Sequence, residues 1–321
     1  PRLIMETLRW AAALNADALN YVAATQLLAH NNQVHGVRAH DVVAGDVLEL
    51  HAKVVINATG PESGDFARVS DREAPQIFQP SLAWNVLFHR PALSDHALAV
   101  APPSGGQVYF LVPWKGKLLA GTGHTPSNQP PTTRVAHADI VNMVQQINQC
   151  IPRLELELSE VAHVFSGLLP VRRTGSVKLA TRDAFHDHGQ NGGPEGLFSI
   201  SGVKLVAAQA VAEKTLKRVC ERFFPRRQAT PLPPRPAPSE HWQMKPGQPI
   251  APQTIKDLAD GESVVHLSDL VLRRTSLWSG QLPTQESLGA IGLALGYSED
   301  VLQQELQRML GELDTWDTEH G

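Results

Sequence analysis

Cysteine is scarce in this chain: two among 321 residues, Cys150 and Cys220, far apart and outside any CxxC spacing. Neither a disulfide framework nor a thiolate metal site can organise the fold. The fourteen histidines show no HExxH or similar pairing around acids. No metal is therefore expected, and most of the histidines read as surface. No stretch reaches the roughly 18 apolar residues of a spanning helix, and no signal peptide opens the chain. The default compartment is a reducing cytoplasm. Lysine and arginine do not cluster, and a net charge of -4 with a pI near 6.4 argues against nucleic acid or an anionic membrane as the main partner. Basic residues must act singly. A GxGxxG turn is missing too: Gly121 and Gly123 are followed by His-Thr-Pro and belong to a hairpin.

What is present is an ordinary globular composition, 42% hydrophobic, long enough for a second domain. In residues 2–14, Leu3, Ile4, Leu8, Ala11 and Ala12 fall on one helical stripe, so the chain is expected to begin in mid-domain on a helix. Four strand-like runs follow between Leu19 and Thr59, broken at Asn31-Asn32, Ala44-Gly45 and Ala52. They read as a meander ending in a buried strand. That strand stops on Ala58, Thr59, Gly60 and Pro61, small residues that let the turn approach something closely. Residues 80–125 hold further strands, two of them joined by a tight Lys115-Gly116 turn. Thr132 and Thr133 offer caps for a helix over 134–151. Strands are expected near 161–170 and 176–181, then a loop with Gly189, Gly192 and Gly193.

The stretch 196–213, GLFSISGVKLVAAQAVAE, is the most informative. A strand through Leu197, Phe198 and Ile200 breaks at Ser201-Gly202 and is expected to run straight into an alanine-rich helix. Such a corner aims the helix's first free amides at whatever lies beyond the strand, and Lys204 adds a full charge. A plain packing corner would look the same. Residues 225–252, rich in proline and arginine, read as an extended linker. Residues 253–321 read as a helical domain of three or four short helices, the last capped by Ser298.

Four pieces together resemble the flavin-dependent glycerol-3-phosphate dehydrogenases and related oxidases. They are VVINATGP at 54–61, VYFLVPWKGKLLAGTGHT at 108–125, SISGVKL with AE at 199–213, and HLSDLVLRRT at 266–275. The opening helix matches as well, so the resemblance covers almost the whole chain. It implies an α/β (α+β) fold. Residues 1–224 would form the oxidoreductase body, a partial FAD-binding Rossmann-like domain joined to an antiparallel-sheet substrate domain. The implied cofactor is FAD, held by Ala58, Thr59, Gly60, Pro61, Gly167, Leu168, Ser201, Gly202, Val203, Lys204 and Leu205. The implied reaction oxidises the C2 hydroxyl of glycerol 3-phosphate, or a related anionic alcohol, by hydride transfer to flavin N5.

Lys204 and Arg182 stand where the family has a lysine and an arginine for the substrate phosphate. Two positions depart: Leu169 replaces a substrate arginine, with Arg172 and Arg173 near, and Asn85 replaces a histidine that would take the hydroxyl proton. Asparagine cannot be a base. His124 is the candidate replacement. Arg273-Arg274 are expected to dock the helical domain, and Trp84 and Trp114 to pack. The family's first βαβ unit with its GxGxxG is absent from these residues, so the chain by itself is expected to be inactive. The electron acceptor is not indicated. Family members often associate peripherally with membranes, although no basic amphipathic helix is evident here. Two alternatives stay open: a flavin-dependent amino or hydroxy acid oxidase, and a non-catalytic scaffold used for interaction.

Overall fold

The computed structural model describes residues 1–103, 105–127, 131–226, 232–244, 248 and 250–318. A helix, α1 (Arg2–Ala12), leads into the antiparallel meander β1 (Val22–His30), β2 (Gln33–Asp41) and β3 (Val47–His51). Asn31 and Asn32, both at positive φ, make the tight turn between β1 and β2. The short strand β4 (Val55–Asn57) then leaves the meander, and α2 (Ser63–Arg68) follows. β4 pairs parallel with β11 (Leu197–Ser201), and β11 pairs antiparallel with β10 (Ala184–Asp187).

The second body is an antiparallel sheet in the order β6 (Leu98–Val100), β7 (Tyr109–Trp114), β8 (Lys117–Pro126), β5 (Pro80–Phe88), β9 (Val161–Pro170). Lys115 and Gly116, with φ of 50° and 79°, turn β7 into β8 as the sequence suggests. Strand alternation splits β5 into two faces. Leu82, Trp84, Val86 and Phe88 meet Ile140, Met143, Val144 and Ile147 of α3 (His137–Cys150), forming the largest core. Each such side chain contributes roughly 1.5–3 kcal/mol by leaving water. Ser81, Ala83, Asn85 and Leu87 point the other way, opposite Leu169, Gly167, Phe165 and His163 of β9.

Helices α4 (Ala208–Phe223), α5 (Pro252–Gly261), α6 (Gln285–Ala294) and α7 (Glu299–Leu313) complete the chain. The last three enclose a second core through Ile255, Leu267, Leu270, Leu288, Ile291 and Met309. Ser298 caps α7 by accepting from the amide of Val301 at 3.3 Å. Between α5 and α6 the segment Asp269–Arg274 is a short π-helical turn rather than the longer helix its pattern suggests. Asp269 takes the amides of Val265 and His266 at 3.1 and 3.0 Å, which fixes where that turn starts.

Several expectations need correction. No strand forms over 176–181: only Val171 and Leu179 bridge there, and the strand lies at β10. Helix α4 starts at Ala208, after an extended Lys204 and a 3-10 turn over Leu205–Ala207, not directly behind Ser201-Gly202. Ala136, not Thr132 or Thr133, is the N-cap of α3. Arg273 and Arg274 do not dock the helical unit themselves. They pair inside it, with Glu312 and Asp269. Of the expected linker, residues 227–231, 245–247 and 249 lie outside the described residues. Its described part carries Trp242, whose indole donates to Glu6 of α1.

The helical unit attaches through other groups. Arg9 of α1 pairs with Glu262, and the Tyr21 hydroxyl donates to Asp269 at 2.9 Å. Burial, helped by the bond to Asp269, pushes the Tyr21 phenol up to about 12, so it remains a donor. On the far side Trp278 leans on the exposed face of the antiparallel sheet. Its ring centroid lies 4.9 Å from His163, 5.5 Å from Phe165 and 6.1 Å from Trp114. Large faces nevertheless remain bare. A compact chain of this mass exposes about 13,000 Å2, whereas this one exposes 18950 Å2. The stripe on α1 buries no residue, and Leu205 and Val206 are 60% and 87% exposed.

Burial holds the His163 imidazole down at about 4, against 6.5 for a free side chain. The unfolded chain therefore binds a proton that the folded one refuses, so stability is complete above about 6.5 and declines as pH falls toward 4. His163→Phe, which keeps the ring contacts, is expected to flatten that part of the stability curve, as measured by urea midpoint from pH 4 to 7.

Candidate functional site

The parallel register Ser199↔Asn57 and the antiparallel register Ala184↔Ser201 bring three chain segments to one end of the small sheet. These are the turn at Ala58–Pro61, the corner at Ser201–Leu205, and Arg182 just ahead of β10. Ala58, Thr59, Gly202, Lys204 and Leu205 are all exposed there. Gly60 sits at φ 63°, where other residues are strained, and a Cβ on Gly60 or Gly202 would meet nothing within 4 Å. The amides of Val203, Lys204, Leu205 and Val206 have no hydrogen-bond partner among the described residues. The side chains of Lys204 and Arg182 form no ion pair or hydrogen bond among them either. Unspent donors and two lone cations thus face open space, an arrangement suited to an anion or an electron-rich ring edge.

Below this ledge runs a buried polar chain that sequence reading missed. Asn57 Nδ2 donates to Ser199 Oγ at 3.1 Å, Ser199 Oγ lies 2.8 Å from His188 Nε2, and His188 Nδ1 lies 2.6 Å from Asp71 Oδ2. An amide nitrogen can only donate, so the chain is satisfied when Ser199 donates to His188 and His188 donates to Asp71. Asn57 also accepts from the Thr59 hydroxyl at 2.8 Å and donates to the Ser63 carbonyl at 2.8 Å. The chain therefore fixes the turn above it. The residue types match an acyl-transfer triad, but Ser199 and His188 are 3% and 1% exposed. No acyl group reaches that hydroxyl, and the role is structural. His188 is an exception to the reading of most histidines as surface. No local signal marks it, because its partners lie 11 and 117 residues away.

The open face of the antiparallel sheet holds the remaining candidates. His124 Nε2 lies 2.5 Å from Ser81 Oγ, and burial lowers its pKa below the usual 6.5. Neutral at pH 7, it can accept a proton. Asn85 accepts from Thr122 at 3.2 Å and fills the space where a Cβ on Gly121 would fall. Leu169 shares this face, and Gly167 leaves a gap with no atom near its missing Cβ. Leu168 does not: its side chain packs in the core under α3. Arg172 bonds Thr181 at 3.2 Å in an exposed loop, and Trp84 is 4% exposed in the core. Trp114 packs on Phe165 beside the hairpin turn, with Lys115 over its ring. Both cysteines are free.

Residues 1–213 match the family described as FAD dependent oxidoreductase. The chain belongs to that family. Among curated relatives, the mitochondrial glycerol-3-phosphate dehydrogenases of Macaca fascicularis and Homo sapiens are both 29% identical over 217 residues. That match covers 64% of this chain and 29% of each relative. The chain thus spans under a third of their length. The enzyme of Saccharomyces cerevisiae is 26% identical over 243 residues, with 64% of this chain and 37% of the relative covered. Among solved structures, the glycerol-3-phosphate dehydrogenase from Bacillus halodurans complexed with FAD superposes with a TM-score of 0.71 at 20% identity. That superposition covers 98% of this chain and 72% of the other. It establishes the fold, a Rossmann-like mixture of helices with antiparallel sheets.

FAD is the cofactor of this family, and the ledge fits the ring end of it. Four unspent amides and two glycines with empty space in front suit a flavin edge, and the residues able to hold it are Thr59, Gly60 and Ser201–Leu205. No GxGxxG turn for the pyrophosphate occurs in this sequence. The mitochondrial relatives overturn the expectation of a cytoplasmic setting. Among the described residues no helix is long and apolar enough to cross a membrane.

Ser199→Ala removes the middle of the buried chain: His188 Nε2 loses its partner and Asn57 Nδ2 keeps only the Ser63 carbonyl, at a cost of roughly 1–3 kcal/mol. The expected result is a lower urea midpoint at unchanged m, together with faster amide exchange over 57–63.

Proposed function

We propose that this chain forms the flavin-facing and substrate-binding part of an oxidoreductase that oxidises the C2 hydroxyl of glycerol 3-phosphate or a related anionic alcohol. The observation that carries this reading is the pair of unpartnered cations, Lys204 and Arg182, at the corner where the unspent amides lie. A phosphate dianion would take both, with Arg172 close in sequence to Arg182 as a further donor. FAD, when bound, supplies the two-electron acceptor. The chain's own part is to hold the anion, turn the carbinol carbon toward the flavin and receive the hydroxyl proton. His124 is the proton acceptor, neutral because of its burial and oriented by Ser81. Asn85 fits as a hydrogen-bond partner for a substrate hydroxyl rather than as a base.

Leu169 and Asn85 favour a second reading, an amino or hydroxy acid substrate whose carboxylate needs fewer cations. Anaerobic mixing of the FAD-loaded protein with glycerol 3-phosphate separates the two. Bleaching of the yellow colour supports the first, whereas bleaching only by a 2-hydroxy or amino acid supports the second.

Lys204→Met removes a charge-assisted contact worth roughly 1.5–3 kcal/mol. It is expected to lower kcat/KM for glycerol 3-phosphate about 10- to 100-fold while leaving the rate with uncharged glycerol nearly unchanged; an equal loss on both would count against phosphate binding. For His124, kcat/KM should fall on the acid side with a midpoint below 6.5, where the imidazole protonates. His124→Gln should remove that limb and lower kcat about 100- to 10,000-fold.

A further inference from the structure

We propose that Asp71, His186 and His188 form a binding site for a divalent transition-metal ion of the zinc class. His186 lies in β10 and His188 directly follows its last residue, where the chain turns and brings the two imidazoles together. Their ring centroids are 4.5 Å apart with the planes at 90°. One donor atom from each histidine and one from Asp71 all lie within 4.8 Å of one another. Tetrahedral ligation at bond lengths near 2.1 Å sets such atoms about 3.4 Å apart. The set therefore closes on an ion by small side-chain rotations.

The obvious competitor is a proton, since His188 Nδ1 and Asp71 Oδ2 are 2.6 Å apart. A proton accounts for those two groups and not for the third. His186 is half-buried beside them, and its imidazole makes no hydrogen bond among the described residues. Both its nitrogens stand unused next to a carboxylate whose one ionic partner among those residues is His188. An ion uses the idle imidazole and neutralises the carboxylate together.

The surroundings have the second layer such a site needs. His188 Nε2 is held by Ser199, and Ser199 by Asn57, so the ring is already oriented with Nδ1 toward Asp71. Binding at Nδ1 moves the His188 proton to Nε2, which then donates to Ser199 Oγ, and the Ser199 hydroxyl proton rotates away from the ring. Arg222 is taken by Asp187 and Glu195, and no lysine or arginine among the described residues pairs with Asp71. Two imidazoles and one carboxylate leave a fourth position for water. The ion would tie the loop behind α2 to β10 and so brace the Ala58–Pro61 turn from below. This site does not depend on which substrate the oxidoreductase takes.

The test uses tag-free protein stripped with a chelator, titrated with Zn2+ by calorimetry and with Co2+ by visible absorption. One equivalent should bind, with the cobalt bands of a four- or five-coordinate site. His186→Ala and His186→Gln, used together so that a fold defect in one cannot mimic loss of the site, should each weaken binding at least about tenfold with circular dichroism unchanged. Absence of stoichiometric binding, or wild-type affinity in a folded His186 variant, overturns the proposal.

Discussion

The site rests on one short parallel pairing. Three residues of β4 lie beside β11, and the hydrogen bond from Asn57 to Ser199 crosses between them below the surface. Parallel strands come from distant parts of a chain, and here 142 residues separate the two. Once they are side by side, both strands end at the same edge, and so do the turns that follow them. The bent Gly60, the idle amides of Val203 to Val206 and the side chains of Lys204 and Arg182 collect at that edge.

The polar chain through His188 and Asp71 explains why so small a sheet can hold its turns still. A buried polar group without a partner is expensive, so each member restricts the next. Thr59 is bound by Asn57, Asn57 by Ser199, Ser199 by His188, and His188 by a carboxylate on the loop after α2. A preorganised edge needs little rearrangement when a charged ligand arrives. The same residues serve the proposed metal site, which would add a bridge to an existing brace rather than a separate centre.

The two larger bodies divide the remaining work. The antiparallel sheet buries one face under α3 and leaves the other for His124, Asn85 and Gly167, with the C-terminal unit closing one end through Trp278. The stripe of α1 buries no residue, and Leu205 and Val206 stand exposed beside the corner.

The sequence by itself determined what depends on neighbours along the chain. The strand at β5, the Lys115-Gly116 turn, the Ser298 cap and the small residues at 58–61 all act over a few residues, and all were legible. So was the family, because its motifs are short and keep their order. The start of α4 was misplaced because alanine-rich residues are permissive, and what decides is how Lys204 leaves the sheet. His188 and Asp71 were invisible for a different reason: their value comes from partners far away in the chain. Only the tertiary structure could decide which side chains lose water together, and desolvation is what turns an ordinary histidine and aspartate into the brace beneath the site.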